Sequence, residues 1–182
     1  MLKGILNNTR ILRKIRKLIF SYYYVDLRLI EPTDRKKHFD FITEFRNEFF
    51  KDNPVERDKR IDFPINSDTD ICFVAWHRES HRIVGIILLK KSTQQNLKAW
   101  QVKGVAVLKE FRSKGIGERL LRKAIFLAKS ENLAIFLDAL ETNKPAISLY
   151  EKLGFKATNE KERFQVDGVE YPSSQLVMVR DA

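Results

Sequence analysis

Apolar positions follow helical spacing in some stretches of the chain and alternate with polar ones in others. Leu2, Ile5, Leu6, Leu12, Ile15 and Ile19 recur at three, four and seven, with Ile11 and Leu18 widening the stripe. This predicts an amphipathic helix over 2–20. Val25, Leu27 and Leu29 alternate with Asp26 and Arg28, a first strand that ends at Glu31-Pro32. Thr33 or Asp34 can cap a helix running to about Phe50, with Phe39, Ile42, Phe45 and Phe49 expected on its buried face. Residues 51–62 are rich in charge, contain Pro54, and read as a short helix and a surface loop.

Two strand runs, 71–76 and 83–89, are joined by a polar turn, and a third covers about 98–107 and ends in Val105-Ala106-Val107. A helix is predicted over 116–130, with Ile116, Leu120, Leu121, Ala124, Leu127 and Ala128 inward. A short strand at 134–137, a helix at 144–153 and a strand from Phe155 follow. Asp167-Gly168 signals a hairpin, and 176–179 closes the sheet. The order β-α-(α)-β-β-β-α-β-α-β-β has no repeat and no long linker. Residues 25–182 therefore read as one α/β domain, with 1–24 as a basic helical extension.

The chain has 182 residues, 43% of them hydrophobic, enough for a core that needs no metal or disulfide. The lone cysteine, Cys72, excludes an internal disulfide framework and points to a reducing compartment, taken as the cytoplasm. It lies in a strand pattern and is expected to be buried and inert. His77 and His81 fall on the predicted turn without a cysteine or acid cluster, so no metal site is expected. No apolar run is long enough for a membrane-spanning helix.

The net charge of +10 is uneven. Lys3, Arg10, Arg13, Lys14, Arg16 and Lys17 stand in the first twenty residues with no acid, so the remainder carries only +4. Nucleic-acid binding would rest on this arm alone, and the overall basicity does not assign it. Cations, an apolar stripe and Tyr22, Tyr23 and Tyr24 suit peripheral contact with a membrane surface through residues 2–20. The same helix suits packing on its own domain or on a second subunit, and its composition also fits an organellar presequence. Four cations between Arg13 and Lys17 interrupt any secretory apolar region.

The stretch richest in chemistry runs from Val105 to Leu120. A strand ends, Arg112-Ser113-Lys114-Gly115-Ile116-Gly117-Glu118 turns, and a helix begins. Free N–H groups at a helix start, with the positive dipole end behind them, can hold an anion. Gly115 and Gly117 let a phosphate approach the backbone, and Arg112 and Lys114 add charge. The stretch lacks G-K-[ST], so it is not a Walker A loop. Leu120 replaces the third glycine of a dinucleotide fingerprint. Without more context, a glycine-containing helix start explains it equally well.

R-x-x-G-x-G after a V-A-V strand resembles motif A of the GNAT superfamily of N-acetyltransferases. Downstream, Asn143-Lys144-Pro145-Ala146-Ile147-Ser148-Leu149-Tyr150-Glu151-Lys152-Leu153-Gly154-Phe155 resembles its motif B, N-x-x-A-x-x-x-Y-x-x-x-G-F. The two occur in family order, and the resemblance covers about 25–182, strongest over 102–156. It implies one domain with a mixed, mostly antiparallel sheet flanked by helices. It also implies acetyl-CoA as co-substrate, an amine as acceptor and no metal.

On that reading the backbone from Arg112 to Glu118 would hold the pyrophosphate, and the edge of Val105, Ala106 and Val107 would hold the peptide-like pantetheine arm. Asn143 would contact the pantetheine, and Tyr150 stands at the family's general-acid position. The two lie seven residues apart and so on one helical face. Asn143 before Lys144-Pro145 is also a good N-cap, Tyr150 also suits a core aromatic, and Gly154 suits a helix C-terminus.

A lysine-like amine at pH 7 lies about 3.4 units from its neutral form, roughly 4.6 kcal/mol, so a base or desolvation must help. Many family members place a Glu on the strand before motif A. Here that strand, Lys98 to Gly104, has no acid. Some N-terminal-amine acetyltransferases of the superfamily carry a Glu five residues before the motif B Asn. That position is Asp138, the candidate base, with Glu141 a weaker one. The acceptor is expected between about 45–65 and 160–172, where mixed charges suit a protein N-terminus or lysine better than a polycation. The alternative is a coenzyme-binding regulatory or scaffold module without turnover.

Overall fold

The computed structural model describes residues 20, 22–52, 70–94, 97–166 and 169–178. The helix expected over 2–20, apart from Phe20, lies outside the described residues, as do 53–62 and the Asp167-Gly168 turn. The described elements are β1 (Val25–Leu29), a 3-10 turn at Pro32–Asp34, α1 (Arg35–Asp52), β2 (Asp70–His77), β3 (Arg82–Gln94) and β4 (Leu97–Val107). A 3-10 turn at Lys109–Phe111 leads to α2 (Ile116–Ser130), then β5 (Ala134–Leu140), α3 (Lys144–Lys152), β6 (Lys156–Val166) and β7 (Val169–Met178).

The seven strands form one sheet in the order β1-β2-β3-β4-β5-β7-β6. Five neighbouring pairs are antiparallel, three of them (β2–β3, β3–β4 and β6–β7) between strands consecutive in the chain. The exception is β4 beside β5, which are parallel because α2 carries the chain back across the sheet. Every residue from Ile83 to Leu89 is buried, so both faces of β3 are covered. The core joins these residues to Phe41, Ile42 and Phe45 of α1 and to Ile116, Leu120, Leu121, Ala124 and Ala128 of α2. Leu127, also expected inward, is partly buried.

On α1 the expected face needs correction. Phe39 is 70% exposed and Phe41 is buried in its place. Phe41, Ile42 and Phe45 make a tight i, i+1, i+4 cluster, and Phe39 lies about a third of a turn off that stripe. Asp34 does not simply cap α1. Its carboxylate accepts two bonds from Arg28, at 2.7 and 2.9 Å, and one from the Glu31 N–H at 3.1 Å, tying β1 to the start of the helix.

Gly85 sets how closely α2 approaches the sheet. A Cβ there would stand 3.2 Å from Ile116 Cγ2, 3.3 Å from Leu120 Cδ1 and 3.3 Å from the Ala106 carbonyl. In Gly85→Ala the Ile116 and Leu120 side chains or the Ala106 carbonyl must give by a few tenths of an ångström. The expected cost is about 1–3 kcal/mol, read as a lower urea midpoint with an unchanged slope.

Candidate active site

The site begins where the parallel pairing ends. β4 and β5 are matched only from Ala99↔Ala134 to Val102↔Leu137. Beyond these pairs β4 stays with β3 and β5 with β7. Lys103 is an extra residue in β4, because Leu88 opposes Gly104 while Leu89 opposes Val102. Such a bulge bends its strand, and here it lies where β4 leaves β5. The result is a cleft at the carboxyl ends of two parallel strands, where ligands of α/β sheets generally bind.

The alternation of β4 decides which amides face this cleft. The Leu108 N–H donates to Val84 of β3 at 3.0 Å, so the amides of Val105 and Val107 turn the other way. Ala106, between them, faces β3 and drops out of the expected binding edge. The Val107 carbonyl accepts from Arg112 Nε at 2.8 Å. No strand among the described residues pairs with this edge beyond Val102.

The turn has the backbone geometry of an anion cradle, over a narrower span than expected. The Arg112 N–H is committed to the Lys109 carbonyl at 3.1 Å, and its guanidinium to Val107, so the cradle starts at Ser113. Ser113 (φ 60°) and Gly115 (φ 83°) are both left-handed, a curl of the kind that turns successive N–H groups into an anion-binding concavity. Gly115 occupies the N-cap of α2 and no side chain caps it, which leaves the N–H groups of Ile116, Gly117 and Glu118 without intrahelical partners. At Gly117 a Cβ would meet Val107 and Leu149 at ordinary contact distances of 3.8 and 3.9 Å. The protein's own packing therefore does not demand glycine there, and the open backbone fits an anionic group resting on the helix start.

The charged side chains of the cradle each have partners within the fold. Lys114 Nζ lies over the rings of Phe20 and Phe111, 4.4 and 5.0 Å from their centroids. Glu118 bonds Lys152 Nζ at 2.6 Å and Arg122 at 2.8 Å, joining α2 to the end of α3. Burial pushes its carboxyl up, but those hydrogen bonds outweigh burial and hold it below the ordinary value. Its negative charge is thus offset beside the open helix start.

α3 explains motif B residue by residue. Asn143 is its N-cap, its side-chain oxygen accepting the Ala146 N–H at 3.3 Å, with Pro145 in the first turn. At the other end Gly154 (φ 96°) donates to the Glu151 carbonyl and Phe155 to the Tyr150 carbonyl, a Schellman stop. That turn brings the Phe155 ring edge-on to Tyr150, with centroids 6.0 Å apart. Burial pushes the Tyr150 phenol up to about 12.

Asp138 is the first β5 residue past the last pair with β4. Lys103 Nζ donates to Gln101 Oε1 at 3.2 Å, and Gln101 Nε2 donates to Asp138 Oδ2 at 3.3 Å. An ammonium only donates, so it fixes which way the Gln101 amide points. The sequence reading passed over Gln101, Phe20 and Phe111, since their contacts join distant segments and leave no periodic trace. Cys72 is buried, which pushes its thiol up to about 12. His77 bonds Ser80, and no group of three metal-ligating side chains occurs among the described residues. Much of the expected acceptor entrance, including 53–65, lies outside them.

Comparison with known proteins agrees with this geometry. A stretch of 109 residues is 30% identical to N-alpha-acetyltransferase 30 of Dictyostelium discoideum, covering 59% of this chain and 58% of that one. A stretch of 69 residues is 41% identical to an N-alpha-acetyltransferase of Saccharolobus solfataricus, covering 37% and 41%. The chain thus spans about half the length of the curated relatives it matches. The fold is that of Arabidopsis thaliana NAA60, solved with acetyl-CoA, at a TM-score of 0.66 and 16% identity over 85% of this chain and 97% of that one. Residues 38–155 match the sequence profile of the acetyltransferase (GNAT) family, and the chain belongs to that family.

Proposed function

We propose that this chain is an N-acetyltransferase that moves the acetyl group of acetyl-CoA to a primary amine by direct attack in a ternary complex, with a protein N-terminus as acceptor. The observation that carries the reading is the open β4 edge beside an uncapped helix start, with a desolvated phenol on the neighbouring helix. Bound acetyl-CoA supplies a thioester carbonyl open to an uncharged amine. The N–H groups of residues 113–118 would hold its diphosphate. The edge at Val105 and Val107 would hold the amide-bearing arm as a partner strand would, and one N–H there would face the carbonyl oxygen as it gains charge. Asn143 uses only its oxygen as a cap, so its amide N–H groups remain to contact that arm.

The names of the relatives support an α-amine acceptor, and so does proton energetics. An α-amine lies about one unit from its neutral form at pH 7, a lysine about 3.4. Asp138, its carboxylate steadied by Gln101, suffices as base for the smaller demand. Tyr150 acts on the departing sulfur. With its pKa near 12, full transfer to a thiolate of about 8.5 runs uphill, so the phenol serves as a hydrogen-bond donor to the leaving group.

Thiol release from acetyl-CoA with a panel of N-terminal peptides tests the activity, and coenzyme binding without release would favour the inactive module. Tyr150→Phe should lower kcat about 10- to 100-fold with little change in KM for acetyl-CoA. Because burial keeps this phenol protonated, wild-type kcat should stay level between about pH 8 and 10, where an ordinary tyrosine would begin to ionise. Asp138→Asn should lower kcat about 100-fold and shift the acidic limb of the pH–rate profile, leaving the limb set by the acceptor amine itself. A parallel profile would remove Asp138 from the mechanism.

A further inference from the structure

One cluster is not used by the proposed chemistry. Phe20, the last residue of the basic arm, packs against Phe111, His77 and Tyr24, with ring centroids 6.3, 6.0 and 5.3 Å away. Its carbonyl accepts the Tyr24 N–H, and the Arg78 N–H closes on the Tyr24 carbonyl. Two residues on, Tyr22 lies 4.2 Å from the Arg119 guanidinium of α2, which also donates to the Val25 carbonyl at 2.9 Å. The segment before β1 is thus fastened to the start of α2. Lys114 belongs to the cradle, and its ammonium rests on a ring from each side of that junction.

We infer that Phe20 is a positioning residue for the coenzyme's diphosphate, acting through Lys114. The inference rests on the coenzyme reading above. A lysine on a loop has many rotamers, and its charge helps an anion only when held near it. Ring faces attract an ammonium without consuming its N–H donors. Phe20 and Phe111 therefore hold in one place the charge of the residue directly before the N-cap of α2, with its three N–H groups left for phosphate oxygens. Phe111 comes from the turn itself, but Phe20 lies outside the stretch that matches the family. The arm's root thereby becomes part of the coenzyme site.

Calorimetric titration of the full chain with coenzyme A tests this. Phe20→Ala and Lys114→Ala should each weaken binding about 5- to 10-fold, and the double variant no more than either one. Dephospho-coenzyme A, which keeps the diphosphate but lacks the 3′-phosphate, should show the same losses. Phe20→Trp should bind like the wild type, whereas Phe20→Leu, which keeps apolar bulk without a ring, should lose affinity as Ala does even if Ala proves unstable. Turnover at saturating acetyl-CoA should remain within about twofold for Phe20→Leu, so that the effect lies in KM. Wild-type affinity in Phe20→Leu, or losses that multiply in the double variant, would overturn the role of Phe20 while leaving the coenzyme site standing. No heat from the wild-type chain would overturn both.

Discussion

The parallel seam between β4 and β5 is only four residue pairs long, and the site depends on where it stops. Hairpins join β2, β3 and β4 on one side and β6 and β7 on the other, whereas the seam requires a crossover through α2. Had the pairing continued past Val102, the amides of Val105 and Val107 would be spent on β5. The bulge at Lys103 bends β4 away instead, exposing backbone donors that are rigid because the strand is still held by β3. Preorganised donors of this kind act on developing charge without reorganising. The same crossover places the start of α2 at the carboxyl end of β4, so one topological feature supplies both the uncapped helix start and the strand edge.

Much of this was legible in the sequence. The helical spacing of Ile116 to Ala128 and the Gly-containing turn before it located α2, and the pair of motifs located α3. What failed was phase and partnership. On α1, aromatic residues crowd several faces, and alternation cannot tell Phe39 from Phe41 until the sheet chooses the stripe. The bulge at Lys103 was equally hidden, because an inserted residue leaves the composition of a strand unchanged. Arg112 and Lys114 read as charges waiting for phosphate. In the folded chain Arg112 bonds the carbonyl of Val107 in the preceding strand, and Lys114 rests on two rings, of which Phe20 comes from a remote segment.

Electrostatics divides the work of the cleft. Backbone N–H groups provide the positive potential at the helix start, while Glu118, the acid that would oppose it, is balanced by Lys152 and Arg122. On α3 burial pushes the Tyr150 phenol up to about 12, and on β5 Asp138 accepts a hydrogen bond from Gln101. The two side chains proposed for proton chemistry thus differ in setting, one a phenol raised by burial and the other a carboxylate that accepts an amide hydrogen bond.

The Schellman stop of α3 has a further consequence, because the helix is gauged from its last turn and not from its first. Gly154 and Phe155 lock the ring of Tyr150 to the strand that follows, whatever precedes Asn143. Changes of length in the loop between Leu140 and Asn143 can be absorbed without swinging the phenol. One residue added between Tyr150 and Gly154 would rotate it about 100° around the helix axis. Drift in chain length is therefore tolerated upstream of this datum and forbidden within it.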